Sequence, residues 1–179
     1  MPNMAQIISR HNAQIVKKQQ PVTAAQAKTC SCPKAVRDSN SCPLGGQCLL
    51  TNTIYQATVT QVDSGKEETY TGLASTDCKK RLAVHKTSIK NRPKPGAKSA
   101  NSTELSNHTW ELKDKKINYT ISWKIIDRAQ PFNPSTKMCR LCLIEKYQLM
   151  YNQQGATLNN RSEFYSACRH KKRKLISNG

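Results

Sequence analysis

The sequence predicts an α+β fold, a small three-stranded, mainly antiparallel sheet flanked by helices and carrying one or two small zinc sites. Three observations lead there. Two β-branched and aromatic runs, residues 53–59 and 66–73, flank the turn residues Asp63, Ser64 and Gly65, which is the signature of a hairpin. Ile117, Tyr119, Ile121, Trp123 and Ile125 alternate with polar residues, the clearest period of two in the chain and the third strand. Seven of the eight cysteines fall in two groups, Cys30, Cys32, Cys42, Cys48 and Cys139, Cys142, Cys168.

The elements follow in order. Ile7, Ile8, His11 and Ile15 stand at helical spacing, so residues 1–29 read as an N-terminal helix and a linker broken at Pro21. A cysteine-rich segment, 30–50, precedes the core domain, 51–168, and a basic tail, 169–179, follows it. In the first strand Tyr55, Ala57 and Val59 share one face, which predicts a strand buried on one side only. Ser75, Thr76 and Asp77 are N-cap residues for a helix reaching about Lys90, on which Arg81 and His85, four apart, share a face. Ser102 or Thr103 caps a second amphipathic helix to Lys113, with Leu105, His108 or Thr109, and Leu112 inward. Pro131 and Pro134 mark a loop, and a helix from Cys139 to about Tyr151 places Glu145 among Leu141, Ile144 and Leu149. Asn160 and Glu163 have the spacing of a helix start.

A formal net charge of +18, from 29 Lys and Arg against 11 Asp and Glu, favours a polyanionic partner, because each phosphate contact releases counterions. Nucleic acid is the class of partner this charge favours. Arg92, Lys94 and Lys98 lie in a Pro- and Gly-bearing loop suited to tracking a phosphate backbone, and Lys171, Lys172, Arg173 and Lys174 suit DNA or nuclear import; a solvated loop and tail are the plainer alternatives. No apolar run reaches the roughly 18 residues of a membrane span, and the N-terminus lacks a signal-peptide core, so a nuclear or cytoplasmic, non-secreted, non-membrane protein is expected.

In that setting cysteines favour metal over disulfides. Cys30, Cys32, Cys42 and Cys48 make one candidate Zn²⁺ set, against buried thiols or a redox pair. Cys139, Cys142, Cys168 and His170 make a second, with His108 as a competing ligand.

The order Ile54-Tyr55, Tyr70-Thr71-Gly72, then Arg81 and His85 resembles the core of the GIY-YIG nucleases, with Thr53 and Thr71 departing from the two signature triplets. The surrounding stretches 42–48, 103–106, 139–146, 158–163 and 168–170 resemble the GIY-YIG endonuclease region at the end of Penelope-like and related retroelement polyproteins. The resemblance implies a metal-dependent endonuclease that nicks DNA and leaves a 3′ hydroxyl for reverse transcription, with element RNA or a reverse transcriptase portion as further partners, and it implies that residues 1–29 are the end of a lost upstream region. It implies that Tyr55 acts as base or orients water, Tyr70 bonds the phosphate or water, and Arg81 stabilises the scissile phosphate. His85 would assist Tyr55 or the phosphate, Glu145 would hold Mg²⁺ or Mn²⁺, and Asn159, or else Asn160, would support the metal or phosphate.

Read alone, Glu145 is equally a helix charge paired with Lys137, Lys146 or Arg161. The main alternative function is a zinc-stabilised nucleic-acid-binding module without catalysis, or an inactive retroelement remnant. A secreted, disulfide-bridged protein glycosylated at Asn101, Asn107 and Asn118 is the third.

Overall fold

The computed structural model describes residues 3–19, 30–32, 42–92, 102–130, 132–133, 136–152, 155–168 and 170. The elements run α1 (Met4–Gln19), β1 (Thr53–Gln61), β2 (Glu67–Ala74), α2 (Cys78–Lys90), α3 (Glu104–Asp114), β3 (Tyr119–Arg128), β4 (Phe132–Asn133), β5 (Met138–Cys139), α4 (Arg140–Tyr151) and α5 (Arg161–Phe164). The main sheet is antiparallel in the order β2-β1-β3, as the alternation predicts.

Local chemistry explains most boundaries. Gly65, at a φ of +66°, gives the hairpin its left-handed residue. Asp77 caps α2 by accepting from the Lys80 N–H at 2.8 Å, and Thr103 with Ser106 closes a reciprocal capping box on α3. Tyr119, Ile121, Trp123 and Ile125 turn to the core while Thr120, Ser122 and Lys124 face outward. A β-bulge opposite the Ile54/Tyr55 step inserts Ile126, which packs in a second apolar cluster with Ile54, Phe132 and Leu141.

Two expectations are corrected. β1 is buried on both faces, because Ile54 joins that second cluster and the Gln56 side chain donates to the Gly155 carbonyl at 2.6 Å. Pairing across β1 from a segment a hundred residues on leaves no trace in local periodicity. The loop expected around residues 131–134 includes a two-residue ladder, β4 with β5, which delivers Cys139 to the start of α4.

The outer edge of β2 is closed by residues 155–159. Leu158 N–H donates to Thr69 O at 2.8 Å, and Asn159 bonds both backbone groups of Thr71 at 2.8 Å each. Side-chain amide thus substitutes for a strand and protects the edge. Residues 42–50 are not an appendage either: Cys42, Leu44 and Cys48 lie in the same core as Tyr55, Ala57 and Leu82.

Gly72 marks the tightest backbone approach in the sheet. A Cβ there would lie 2.6 Å from Tyr55 Oη and 3.1 Å from Tyr70 Cε1. Gly72→Ala should therefore force both tyrosines apart and lower stability by about 1–3 kcal/mol, read from denaturant midpoints. An unchanged midpoint would contradict this packing.

Candidate functional site

A cleft of about 570 Å³ opens between β2, α2, α4 and the chain after α5. Tyr70, Lys80, Arg81, Glu145, Glu163 and His170 are among its lining residues. β2 supplies Tyr70, α2 supplies Lys80 and Arg81, α4 supplies Glu145, and α5 supplies Glu163.

Behind the Arg81 wall lies a closed polar chain. Arg81 Nε donates to Tyr55 Oη at 3.0 Å, and Tyr55 Oη lies 2.7 Å from His85 Nε2, with both Tyr55 and His85 at 0% exposure. The direction of the Tyr55–His85 bond follows the imidazole tautomer, and His85 Nδ1 is buried without a hydrogen-bond partner among the described residues. Burial first, then Arg81, pushes His85 down to about 3, so the ring is neutral. Burial also pushes Tyr55 up to about 12 although Arg81 opposes it, so the resting group is a phenol. Tyr70, 4% exposed, completes the set through contact with Arg81.

His85 carries a pH signature. Its folded value lies below its ordinary 6.5, so it adds stability that is present above about pH 6.5 and lost as pH falls toward 3. The loss should be about 1.4 kcal/mol per pH unit within that window. His85→Gln should flatten this part of the urea-midpoint profile, and a profile parallel to the wild type would contradict a buried neutral imidazole.

The carboxylates stand together. Burial first, then Glu163, pushes Glu145 up to about 7, and burial outweighs the Asn159 hydrogen bond in raising Glu163. Two acids lining one cleft, with Glu163 raising Glu145, in a strongly basic chain are a donor set of the type that suits a divalent cation bound through oxygen.

The structure thus brings together Tyr55, Tyr70, Arg81, His85 and Glu145. Asn159 lies at the outer edge of β2, outside the cleft lining. Its amide oxygen and nitrogen engage Thr71, and the nitrogen also donates to Glu163 at 2.5 Å, so Asn159 positions Glu163. Asn160 is the N-cap of α5. Glu163 was hidden in the sequence by the helix-start pattern that also describes it. Tyr55 and His85 are fully buried and do not line the cleft, whereas Arg81, which bonds Tyr55, does. Arg92, just past the C-cap of α2, lies in an ion pair with Asp114 at 2.6 Å and over the Trp110 ring, and it does not line the cleft. Lys94, Lys98, Lys171, Lys172, Arg173 and Lys174 lie outside the described residues.

Both cysteine sets converge. The ligand atoms of Cys30, Cys32, Cys42 and Cys48 lie within 4.8 Å of one another, and so do those of Cys139, Cys142, Cys168 and His170. Sulfur separations are 3.5 Å for Cys30–Cys48, 3.7 Å for Cys32–Cys48 and 3.5 Å for Cys142–Cys168. A tetrahedral zinc with sulfur ligands needs about 3.8 Å, whereas a disulfide needs about 2 Å. His170 Nδ1 is 3.3–3.7 Å from the three sulfurs of its set. Both groups therefore fit a zinc ion, and all eight cysteines are free thiols rather than bridges. Burial raises Cys42, but the backbone N–H groups of Leu44 and Gly46 together with the Cys30 and Cys32 thiols outweigh it and bring the thiol to about 7, which suits a thiolate ligand. His108 sits apart from the second set, 3.1 Å from Glu68.

Among the described residues no helix is long and apolar enough to cross a membrane. Comparison of the chain with family models, with curated proteins and with solved structures yields no match.

Proposed function

We propose that the chain is a metal-dependent DNA endonuclease of GIY-YIG type, stabilised by two structural zinc ions. The observation that carries this reading is the meeting, in one cleft, of Arg81 and Tyr70 with the carboxylates Glu145 and Glu163, backed by the buried Tyr55–His85 pair. Glu145, with Glu163, would hold the Mg²⁺ or Mn²⁺. When bound, that ion supplies an activated water and takes up charge on the phosphoryl oxygens.

The residues of the chain do the rest. Arg81 faces the cleft with a permanently charged fork that matches two phosphate oxygens, and its Nε is fixed by Tyr55. Tyr55 and His85 are positioning residues: the neutral Tyr55 hydroxyl is held between His85 Nε2 and Arg81 Nε, which points it at the guanidinium. Tyr70 and Lys80 add a hydroxyl and a second cation along the phosphate path. The nick would leave a 3′ hydroxyl fit to prime reverse transcription, which makes DNA the substrate and an element RNA or reverse transcriptase portion the natural partners.

A zinc-stabilised nucleic-acid-binding module accounts for the charge and the cysteines. It gives no reason for a basic chain to aim two carboxylates into a cleft beside Arg81. The deciding test is Mg²⁺- or Mn²⁺-dependent nicking of plasmid DNA by the zinc-loaded chain beside Glu145→Gln.

A further inference from the structure

We propose that metal binding by Cys139, Cys142, Cys168 and His170 assembles the divalent-cation site, so that occupancy of the thiolate cluster sets the affinity at Glu145 and Glu163. The inference rests on the proposed function for the identity of the cation site and concerns its regulation.

Each chain segment that brings a carboxylate to the cleft also brings two ligands of the cluster. On α4, Glu145 follows Cys142 by three residues, so the two side chains share a face, and Cys139 is the N-cap. After α5, the chain runs from Glu163 through Ser166 and Ala167, both on the cleft wall, to Cys168 and His170. Cys142, Glu145, Glu163 and His170 all line the same cleft.

The other anchors of these segments are made mostly to β2: Leu158 and Asn159 bond Thr69 and Thr71, and the Leu73 backbone bonds Glu145. α4 fully buries only Leu141, while Leu143, Tyr147, Met150 and Tyr151 are exposed, so its deepest packing is at its N-terminal end. Cys139 makes no side-chain cap bond to the helix start. α5 is a single turn, tied across by Asn159 to Glu163 and by Lys146 Nζ to Ser166 O at 2.9 Å. The contacts that cross directly between the two segments at the cluster are Cys142–Cys168 at 3.5 Å and His170 Nδ1 to Cys139 and Cys142 at 3.4 and 3.3 Å. A metal ion at their centre turns these contacts into bonds and fixes the spacing of the two carboxylates. The Cys30, Cys32, Cys42 and Cys48 set contributes no residue to the cleft, which makes the coupling specific to the second cluster.

The test uses the full zinc-loaded chain with Mn²⁺ as the probe, bound ion being read from the paramagnetic resonance signal of the free ion. His170→Ala should release one zinc equivalent and weaken Mn²⁺ binding about tenfold or more, and His170→Cys, which restores a fourth ligand, should restore both. Amide exchange over residues 155–166 should quicken in the first variant and recover in the second. Should His170→Ala not fold, a Co²⁺ titration of the wild-type chain gives the same comparison, since its spectrum separates a four-sulfur from a three-sulfur site; Mn²⁺ affinity should rise as the three-sulfur site fills. Unchanged Mn²⁺ affinity after loss of that metal overturns the coupling alone, provided Glu145→Gln weakens Mn²⁺ binding. Mn²⁺ binding that Glu145→Gln leaves unchanged overturns the cation site, and the catalytic reading and the coupling fall with it.

Discussion

Tyr55→Phe should lower DNA cleavage about 10²-fold with little effect on DNA binding, and Arg81→Ala should lower it at least as far. The reason is geometric. The Tyr55 hydroxyl is the acceptor that holds Arg81 Nε, 3.0 Å away, and it is itself fixed by His85. Removing one oxygen leaves two buried polar groups short of a partner, at a stability cost of about 1–3 kcal/mol, and frees the guanidinium from the phosphate-facing pose. If Tyr55 acts through Arg81, the double variant should be scarcely worse than Arg81→Ala, since residues that act as a unit are not additive. A double variant whose loss is the product of the two single losses would instead make Tyr55 an independent participant. Cleavage rates with bound DNA at saturation decide between them, because they leave the binding step out.

Removal of the metal from the Cys30, Cys32, Cys42 and Cys48 set should unfold the core. Cys42 and Cys48 are buried among Leu44, Tyr55 and Ala57, and the Cys48 carbonyl accepts from Lys79 N–H at 2.7 Å at the start of α2. Leu50 O holds Cys78 N–H in the same way at 3.0 Å. The knot therefore fixes where the strand β1 and the helix α2 begin, and with them Tyr55 and Arg81. Structural zinc in comparable peptides is worth about 10–16 kcal/mol, as much as or more than the roughly 5–15 kcal/mol by which a whole domain is stable. Cys48→Ser, or a strong chelator, should thus abolish the cooperative thermal transition seen by circular dichroism. A transition unmoved by chelation would show that these four cysteines are simply small buried side chains.

Much of the framework is written locally. The hairpin, the Asp77 and Thr103 caps and the alternation of β3 are local chemistry, and each element lies within a few residues of where that chemistry puts it. The burial of Ile54 and Gln56 depends on α4 and on Gly155, far along the chain, and so was not legible in a nine-residue strand. The site divides in the same way. Arg81 and His85 share a helix face by spacing alone, but that His85 is closed off and Arg81 is open follows only from packing. Glu163 and Asn159 illustrate the limit most clearly. One sequence pattern serves as both helix start and carboxylate support, and only the hydrogen bonds to Thr71 and Glu163 separate Asn159 from its neighbour Asn160. The two sets of candidate ligands were legible from residue type and position along the chain, whereas the convergence of each set to within 4.8 Å required the fold.

The most direct measurement is nicking of supercoiled plasmid by the zinc-loaded chain with Mg²⁺ or Mn²⁺, run beside Glu145→Gln with DNA binding followed in parallel. Glu145 lines the cleft with Arg81, and its amide counterpart keeps the shape but loses the charge that holds a cation. The account requires divalent-dependent nicks from the wild type and a loss of about 10²-fold or more in the variant, with salt-sensitive binding equal in both. Absence of nicking from both chains, with binding retained, would contradict the nuclease and leave a zinc-stabilised module that holds DNA without cutting it.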